Sequence, residues 1–292
     1  MQIEMRGIDK SFGGNAVLKS AGFLLDHGEI HALMGENGAG KSTLMKILTG
    51  VYTKDAGTVI VNGQEVCYKN PQEAEKAGIV FIHQELNVLF DLTVEENMFL
   101  GKEIRSRLGV CDKKAMRAEV SKVLDRLGVK IAPDQKMSEL SVGQQQMIEI
   151  AKALMVDAQV LIMDEPTAAL TQSETEVLFQ VVKNLRKKGV SIVYISHRME
   201  EIFELCDRIT ILRDGSYIDT KRIADTDMND VVKMMIGREI GERYPARDCR
   251  IGKTIFQVKG LTCPGVFKDV SFEVQSRRQA VLGRQFHHTT PW

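Results

Sequence analysis

The residues in this chain that could do chemistry begin with a run of glycines ending in a lysine and a hydroxyl. Gly35-Glu36-Asn37-Gly38-Ala39-Gly40-Lys41-Ser42 fits the phosphate-binding pattern of Gly, four residues, Gly-Lys, then Ser or Thr. The glycines let the backbone curl so that successive N–H groups face phosphate oxygens. A helix starting beside them adds roughly half a unit of positive charge at its N-terminus. Lys41 would reach the β- and γ-phosphates, and Ser42 would hold Mg²⁺. Gly35, Glu36, Asn37, Gly38, Ala39, Gly40, Lys41, Ser42 and Thr43 are therefore the candidate nucleotide-binding set.

Two further groups could serve the same ligand. Asp164-Glu165 ends the apolar run Val160-Leu161-Ile162-Met163, so two carboxylates emerge at the end of a predicted strand. Asp164 could help hold Mg²⁺, and Glu165 could orient and deprotonate a water that attacks the γ-phosphate. Leu140-Ser141-Val142-Gly143-Gln144 opens a predicted helix with a hydroxyl and a glycine, an anion-binding end.

The elements that must position these groups read as alternating strands and helices. Ile30 to Met34 is an apolar strand leading into the loop, and Thr43 to Leu48 is a helix closed by Gly50. Residues 1–30 read as an antiparallel strand layer, and Val59-Ile60-Val61 before Asn62-Gly63 as a hairpin. Gly78 to Ile82 and Ser191 to Ile195 read as further buried strands. From about 92 to 137 the pattern is helical, and another helix runs from about Gln144 to Met155. Ser173 with Glu176 is read as a capping box for a helix that turns Val177, Leu178, Val181, Val182 and Leu185 inward. Alternation of this kind predicts a parallel sheet with its chemistry at the carboxyl ends of the strands.

Composition narrows the field. The chain has 292 residues, 43% hydrophobic and 27% charged, with a net charge of zero, so no global field draws it to nucleic acid or anionic lipid. Five cysteines lie without metal-ligand spacing and read as reduced thiols of a cytosolic protein. No apolar run approaches the roughly 20 residues that span a bilayer, so any membrane association is expected through a partner.

Taken in order, Phe12, the phosphate loop, Gln84, the segment 140–144, Asp164-Glu165 and His197 resemble the nucleotide-binding domain of ABC ATPases. Val142 and Thr171, with His83-Gln84-Glu85-Leu86-Asn87 and Tyr194-Ile195-Ser196-His197-Arg198-Met199, are similar to the carbohydrate-import subfamily. The resemblance implies an α/β P-loop NTPase of ABC type: a mostly parallel sheet core, an antiparallel β layer and a helical subdomain at about 90–140. It implies ATP and Mg²⁺ as ligands. Phe12 would stack on adenine. Gln84 would touch Mg²⁺ or the lytic water and sense the transport partner. Glu165 would be the catalytic base, and His197 would contact the γ-phosphate. Ser141, Gly143 and Gln144 would bind the nucleotide of an opposing domain. Catalytic roles thus fall to Glu165, His197 and Gln84, and metal binding to Ser42, Gln84 and Asp164.

The implied activity is ATP hydrolysis that energises import of a monosaccharide, ribose foremost, with galactose, xylose and allose left open. Implied partners are membrane permease subunits, a sugar-binding protein reached through them, and a second ABC domain in a sandwich dimer. No nucleic acid and no direct sugar contact are implied, and the site of action is the cytoplasmic face of the membrane. Two other readings stay open: a soluble ABC ATPase acting on ribosome or DNA, and a remnant that only binds ATP. Residues 1–236 form the expected first domain and 237–254 a charged linker. Beyond it, Val258-Lys259-Gly260-Leu261 echoes Met5-Arg6-Gly7-Ile8, and Phe267 to Phe272 echoes Leu18 to Phe23. Residues 255–292 read as the start of a second such domain that breaks off near Val274, as in a truncated or frameshifted product, with an unrelated tail prone to proteolysis.

Overall fold

Short apolar segments separated by turns fold as β1 (Ile3–Phe12) and β2 (Asn15–Leu25), an antiparallel hairpin around Gly13-Gly14. The computed structural model describes residues 1–106, 109–237 and 252–276, in two units divided near residue 239. In the first unit, β4 (Ala56–Val61) pairs with β1, and β5 (Gln64–Glu65) pairs with β4 around Asn62-Gly63, giving a four-stranded antiparallel layer.

The second layer is a six-stranded sheet. Its strands are β3 (Ile30–Met34), β6 (Ile79–Ile82), β7 (Val160–Asp164), β8 (Ser191–Ile195), β9 (Arg208–Arg213) and β10 (Ser216–Arg222), in the order β10-β9-β3-β8-β7-β6. All pairs are parallel except β9–β10. Both faces are buried, which is why these strands read as continuous apolar runs. Successive side chains alternate between two cores. Leu33, Ile162, Val193 and Ile195 join the antiparallel layer and α1 (Lys41–Leu48). Met34, Leu161, Met163, Ile192 and Tyr194 join the helical side.

That side comprises α3 (Val94–Met98), α4 (Lys113–Leu127), α5 (Val142–Met155), α6 (Gln172–Lys187) and α7 (Met199–Leu205). Two further helices, α2 (Pro71–Lys76) and α8 (Met228–Ile236), belong to the first unit. The helical stretch expected from 92 to 137 is two helices and a 3₁₀ turn at Met137–Glu139, because Thr93 and Asp112 each cap a new start. The capping box of α6 is Thr171 with Glu174, rather than Ser173 with Glu176. Both pairs have the right spacing, and the helix turns Leu178, Phe179, Val181, Val182 and Leu185 to the core. It leaves Val177, expected inward, 53% exposed. Among the described residues, no helix is long and apolar enough to cross a membrane.

The second unit shows β11 (Thr254–Cys263) paired antiparallel with β12 (Phe267–Gln275). Its irregularities match those of β1–β2. Gly7 and Ser20 have φ of 57° and 52°, and their counterparts Gly260 and Asp269 have 63° and 54°. Met5 faces Phe23 and Ile8 faces Ala21; Val258 faces Phe272 and Leu261 faces Val270. The Ser20 amide donates to Asp9 Oδ1 at 2.8 Å, and the Asp269 amide to Thr262 Oγ1 at 2.9 Å. The sequence echo is therefore an echo of bulge geometry. Ile8 is fully buried, whereas Leu261 is 48% exposed. Most of the 237–254 linker, and the tail from 277, lie outside the described residues.

An isolated two-stranded ribbon is marginal in water. Limited trypsin digestion is expected to cut at Lys259 or Lys268 before any site within residues 1–237. Mass spectrometry of the early fragments checks this, and first cuts inside the larger unit would contradict it.

Candidate functional site

The loop from Gly35 to Ser42 runs directly from β3 into α1. Gly40 is the left-handed cap of that helix, at φ 94°. A Cβ there would lie 2.5 Å from Leu18 Cδ2 and 3.1 Å from the Val17 carbonyl, so β2 closes against this turn only if the residue is glycine. Lys41 Nζ folds back over the loop and donates to the carbonyls of Gly35 at 2.8 Å and Glu36 at 3.0 Å. Ser42 Oγ donates to Asp164 Oδ2 at 2.7 Å, joining α1 to the end of β7.

The ionisation of these groups is strained by burial. Burial pulls the Lys41 ammonium below its ordinary value, although Asp164 and Glu165 pull the other way. Burial also pushes the Asp164 carboxyl up, against the Ser42 hydrogen bond, with Glu165 adding to the rise. An anion beside Lys41 and a cation beside Asp164 would each reverse the local shift. Ser42 and Asp164 offer oxygen donors only, the chemistry of a hard divalent ion that keeps waters or phosphate oxygens in its shell. The residues thus fit a magnesium-bound triphosphate. Among the described residues, no cluster of three or more His, Cys, Asp or Glu is placed to hold a metal ion.

Glu165 follows immediately and has φ of 46°, a left-handed conformation that a non-glycine residue holds only under tertiary constraint. Its amide donates to the Ile195 carbonyl at 2.8 Å, a contact made possible by the parallel pairing of β7 with β8. Both carboxylate oxygens are engaged: Oε1 lies 3.1 Å from His197 Nδ1, and Oε2 accepts from Gln84 Nε2 at 3.4 Å. Gln84 comes from the end of β6 and His197 from the end of β8. Ser42, Gln84 and Asp164 line one open cavity of about 480 Å³, with Lys46, His83, Glu85 and Asn87.

The 140–144 segment forms the start of α5. Ser141 is its N-cap and Gln144 closes a capping box, Gln144 Oε1 accepting from the Ser141 amide at 2.9 Å. Glu174, at the start of α6, occupies this helix end. It accepts from Ser141 Oγ at 2.8 Å and from the Gly143 amide at 3.2 Å. A Cβ on Gly143 would lie 2.5 Å from that carboxylate, so glycine is what admits it. Phe12 is 39% exposed and lies edge-on to Tyr52, with ring centroids 5.1 Å apart.

The family model described as ABC transporter matches residues 18–168, a span that begins before the phosphate loop and ends just past Asp164-Glu165. The chain belongs to the ABC transporter family. Ribose import ATP-binding protein RbsA of Bacillus subtilis (strain 168) is 58% identical over 276 residues, covering 94% of this chain and 56% of that protein. The chain thus spans about half the length of the curated relatives it matches. Among solved structures, the ADP conformation of an ATP-binding cassette of an ABC transporter covers 82% of this chain at TM-score 0.72 and 28% identity, with 100% of that chain matched. A dimeric post-hydrolysis cassette bound to ADP and Pi covers 76% of this chain at TM-score 0.64 and 26% identity, with 98% of that chain matched. The architecture is therefore that of an ABC-type P-loop NTPase, as the sequence implied.

Within this ABC cassette the structure brings the phosphate loop, Gln84, Asp164, Glu165 and His197 to one end of the parallel sheet. Ser141, Gly143 and Gln144 instead line a separate groove of about 640 Å³ with Glu174 and Val177. Sequence reading missed Tyr52 and Glu174. Glu174 was legible as the partner of Thr171 three residues earlier, but its bond to Ser141 crosses 33 residues and leaves no local signal.

The Glu174 carboxyl is drawn down to about 2 by the Thr171 amide, the Ser141 hydroxyl and the Thr171 hydroxyl, in that order. A depressed value stabilises the fold above the ordinary 4.5, and that contribution fades as pH falls toward 2. Glu174→Ala is expected to cost about 1 kcal/mol at neutral pH. Urea unfolding of both proteins at several pH values checks this: the gap should narrow as the medium is acidified below the ordinary carboxyl range. A gap independent of pH would contradict it.

Proposed function

We propose that the chain is the ATP-binding and ATP-hydrolysing part of an importer for a monosaccharide, ribose first among the candidates. The observation that carries the hydrolytic part is the Glu165 carboxylate, held between His197 and Gln84 beside the Ser42–Asp164 pair. The names of the relatives support the sugar.

In this reading the main-chain amides of the phosphate loop bind the β- and γ-phosphates, and Lys41 exchanges its two carbonyl partners for phosphate oxygens. Phe12, backed by Tyr52, offers its ring to adenine. Ser42 Oγ and Asp164 Oδ2 would hold magnesium, with Gln84 at the edge of the same cavity. Held there, magnesium would supply positive charge that offsets the negative charge developing on the leaving group. Glu165 takes the proton of the attacking water on its carboxylate. Gln84 and His197 fix the orientation of that carboxylate, and the His197 imidazole also faces the γ-phosphate. The barrier is lowered chiefly by this positioning and by electrostatics.

The working unit is a sandwich of two cassettes, in which Ser141, Gly143 and Gln144 approach the nucleotide held by the opposite domain. The dimeric cassette among the similar structures supports this. The matching bulges of β11–β12 and β1–β2 support reading the second unit as the start of another such domain. Leu89 and Phe90, exposed five and six residues after Gln84, offer an apolar surface to a permease subunit. The chain would then sit at the cytoplasmic face of the membrane through that permease, which in turn meets the sugar-binding protein.

Lys41→Ala is expected to weaken MgATP binding at least about tenfold, and Glu165→Gln to leave it within about threefold while hydrolysis falls about 10²-fold or more. Equilibrium binding of a fluorescent ATP analogue and phosphate release check these. Hydrolysis unaffected by Glu165→Gln sinks the assigned base. Turnover per chain is further expected to rise with protein concentration, and a flat dependence would argue against the paired arrangement.

A further inference from the structure

A buried carboxylate bonds to the turns that carry Glu165 and His197. Glu201 is in the first turn of α7 and only 6% exposed. It receives an unusual set of donors. Thr167 Oγ1 lies 2.7 Å from Oε1 and 2.9 Å from Oε2. Tyr194 OH and Ser196 Oγ each donate to Oε2 at 3.0 Å, and an Arg198 guanidinium nitrogen donates to Oε1 at 3.3 Å. Tyr194, Ser196 and Thr167 are themselves buried. Burial, then the Glu201 charge, then its hydrogen bond drive the Tyr194 phenol far above its ordinary value, so it stays a donor.

The placement of these donors matters more than their number. Thr167 is two residues past Glu165, in the turn that leaves β7. Ser196 and Arg198 flank His197 on either side. Ser196 Oγ also accepts the Arg198 amide at 3.1 Å, fixing the turn between β8 and α7. One buried carboxylate therefore ties the segment that carries the proposed base to the segment that carries its imidazole partner. Burying a charge is costly unless it is fully hydrogen-bonded, and an apolar side chain of the same size would fill the space at less cost. What an apolar residue cannot do is hold three hydroxyls from two separate segments in one geometry.

We propose that Glu201 is a positioning residue for ATP hydrolysis, setting the distance between Glu165 and His197 through Thr167 on one side and Ser196 and Arg198 on the other. The proposal rests on the reading of Glu165 as the base. Glu201 bonds to Thr167, Tyr194, Ser196 and Arg198 and, among the described residues, to none of the phosphate loop, so its effect falls on turnover and not on binding. Misplacement of a reacting group by about 1 Å can cost on the order of a hundredfold in rate.

The test compares the full chain with its Glu201→Gln, Glu201→Asp and Thr167→Val variants. Turnover is expressed per nucleotide-binding site, so that loss of folded protein does not count. Glu201→Gln keeps the volume but replaces one acceptor oxygen by a donor. It is expected to lower turnover 10- to 100-fold with ATP affinity within about threefold. Thr167→Val should show a smaller loss of the same kind, and Glu201→Asp should recover part of the rate lost in Glu201→Gln. Parallel losses of affinity and turnover, or unchanged turnover, would overturn the proposal. Amide hydrogen exchange supplies a readout that needs no hydrolysis. Peptides covering 164–170 and 195–200 should exchange several-fold faster in Glu201→Gln, with peptides covering 30–48 unchanged. Uniform acceleration, or none, would overturn the tie. If the parent chain hydrolyses no ATP while the exchange pattern appears as expected, the assignment of Glu165 fails and the tie stands.

Discussion

The hydrogen bond from Ser42 Oγ to Asp164 Oδ2 spans 122 residues, and most of the site depends on what makes it possible. α1 and β7 meet because β3 and β7 both flank β8 in a parallel sheet, so that the segments leaving them emerge at the same end. The same parallel pairing brings the Glu165 amide to the Ile195 carbonyl and His197 to the Glu165 carboxylate. An antiparallel arrangement would send half of these groups to the opposite edge. The register of the five parallel strands is thus the constraint that brings these groups together.

The electrostatics at this edge fit a ligand that carries both signs of charge. Lys41 and Asp164 are buried enough that each is pushed toward its neutral form, and they compensate each other only in part. Lys41 turns to the loop's own carbonyls, and Asp164 to a hydroxyl. Both partners are neutral and exchange readily for stronger ones, so a magnesium-bound triphosphate would replace weak bonds without breaking a strong ion pair. The start of α5 shows the complementary solution. There the anion is supplied from within, by Glu174, and the helix end is satisfied by a carboxylate from a neighbouring helix.

The two units illustrate how the same local sequence has different consequences in different surroundings. β1–β2 and β11–β12 share bulges, left-handed residues and cross-strand pairs. In the first unit that hairpin is covered by α1 and the parallel sheet, and its apolar residues are among the most buried in the chain. In the second, the equivalent residues of the described hairpin are half-exposed or exposed. Backbone geometry is set by nearest neighbours along and across the strands. Burial is set by what the rest of the fold brings to the face.

Local pattern alone determined the phosphate loop, the buried strands and the carboxylates at the end of β7, because each is a short-range requirement. Glycine at a left-handed turn, unbroken apolar runs for strands buried on both faces, and acids at a strand end are all written within a few residues. The start of α6 shows where local reading ends: Thr171–Glu174 and Ser173–Glu176 have equal spacing, and the box that forms is the one whose glutamate also binds Ser141 and the Gly143 amide from the neighbouring helix. Glu201, Tyr52 and the bond of Glu174 to Ser141 could come only from the tertiary structure. A glutamate on an amphipathic helix looks the same whether it faces water or collects three buried hydroxyls. The difference lies in contacts made by residues distant along the chain, which the order of the amino acids does not display until the sheet has formed.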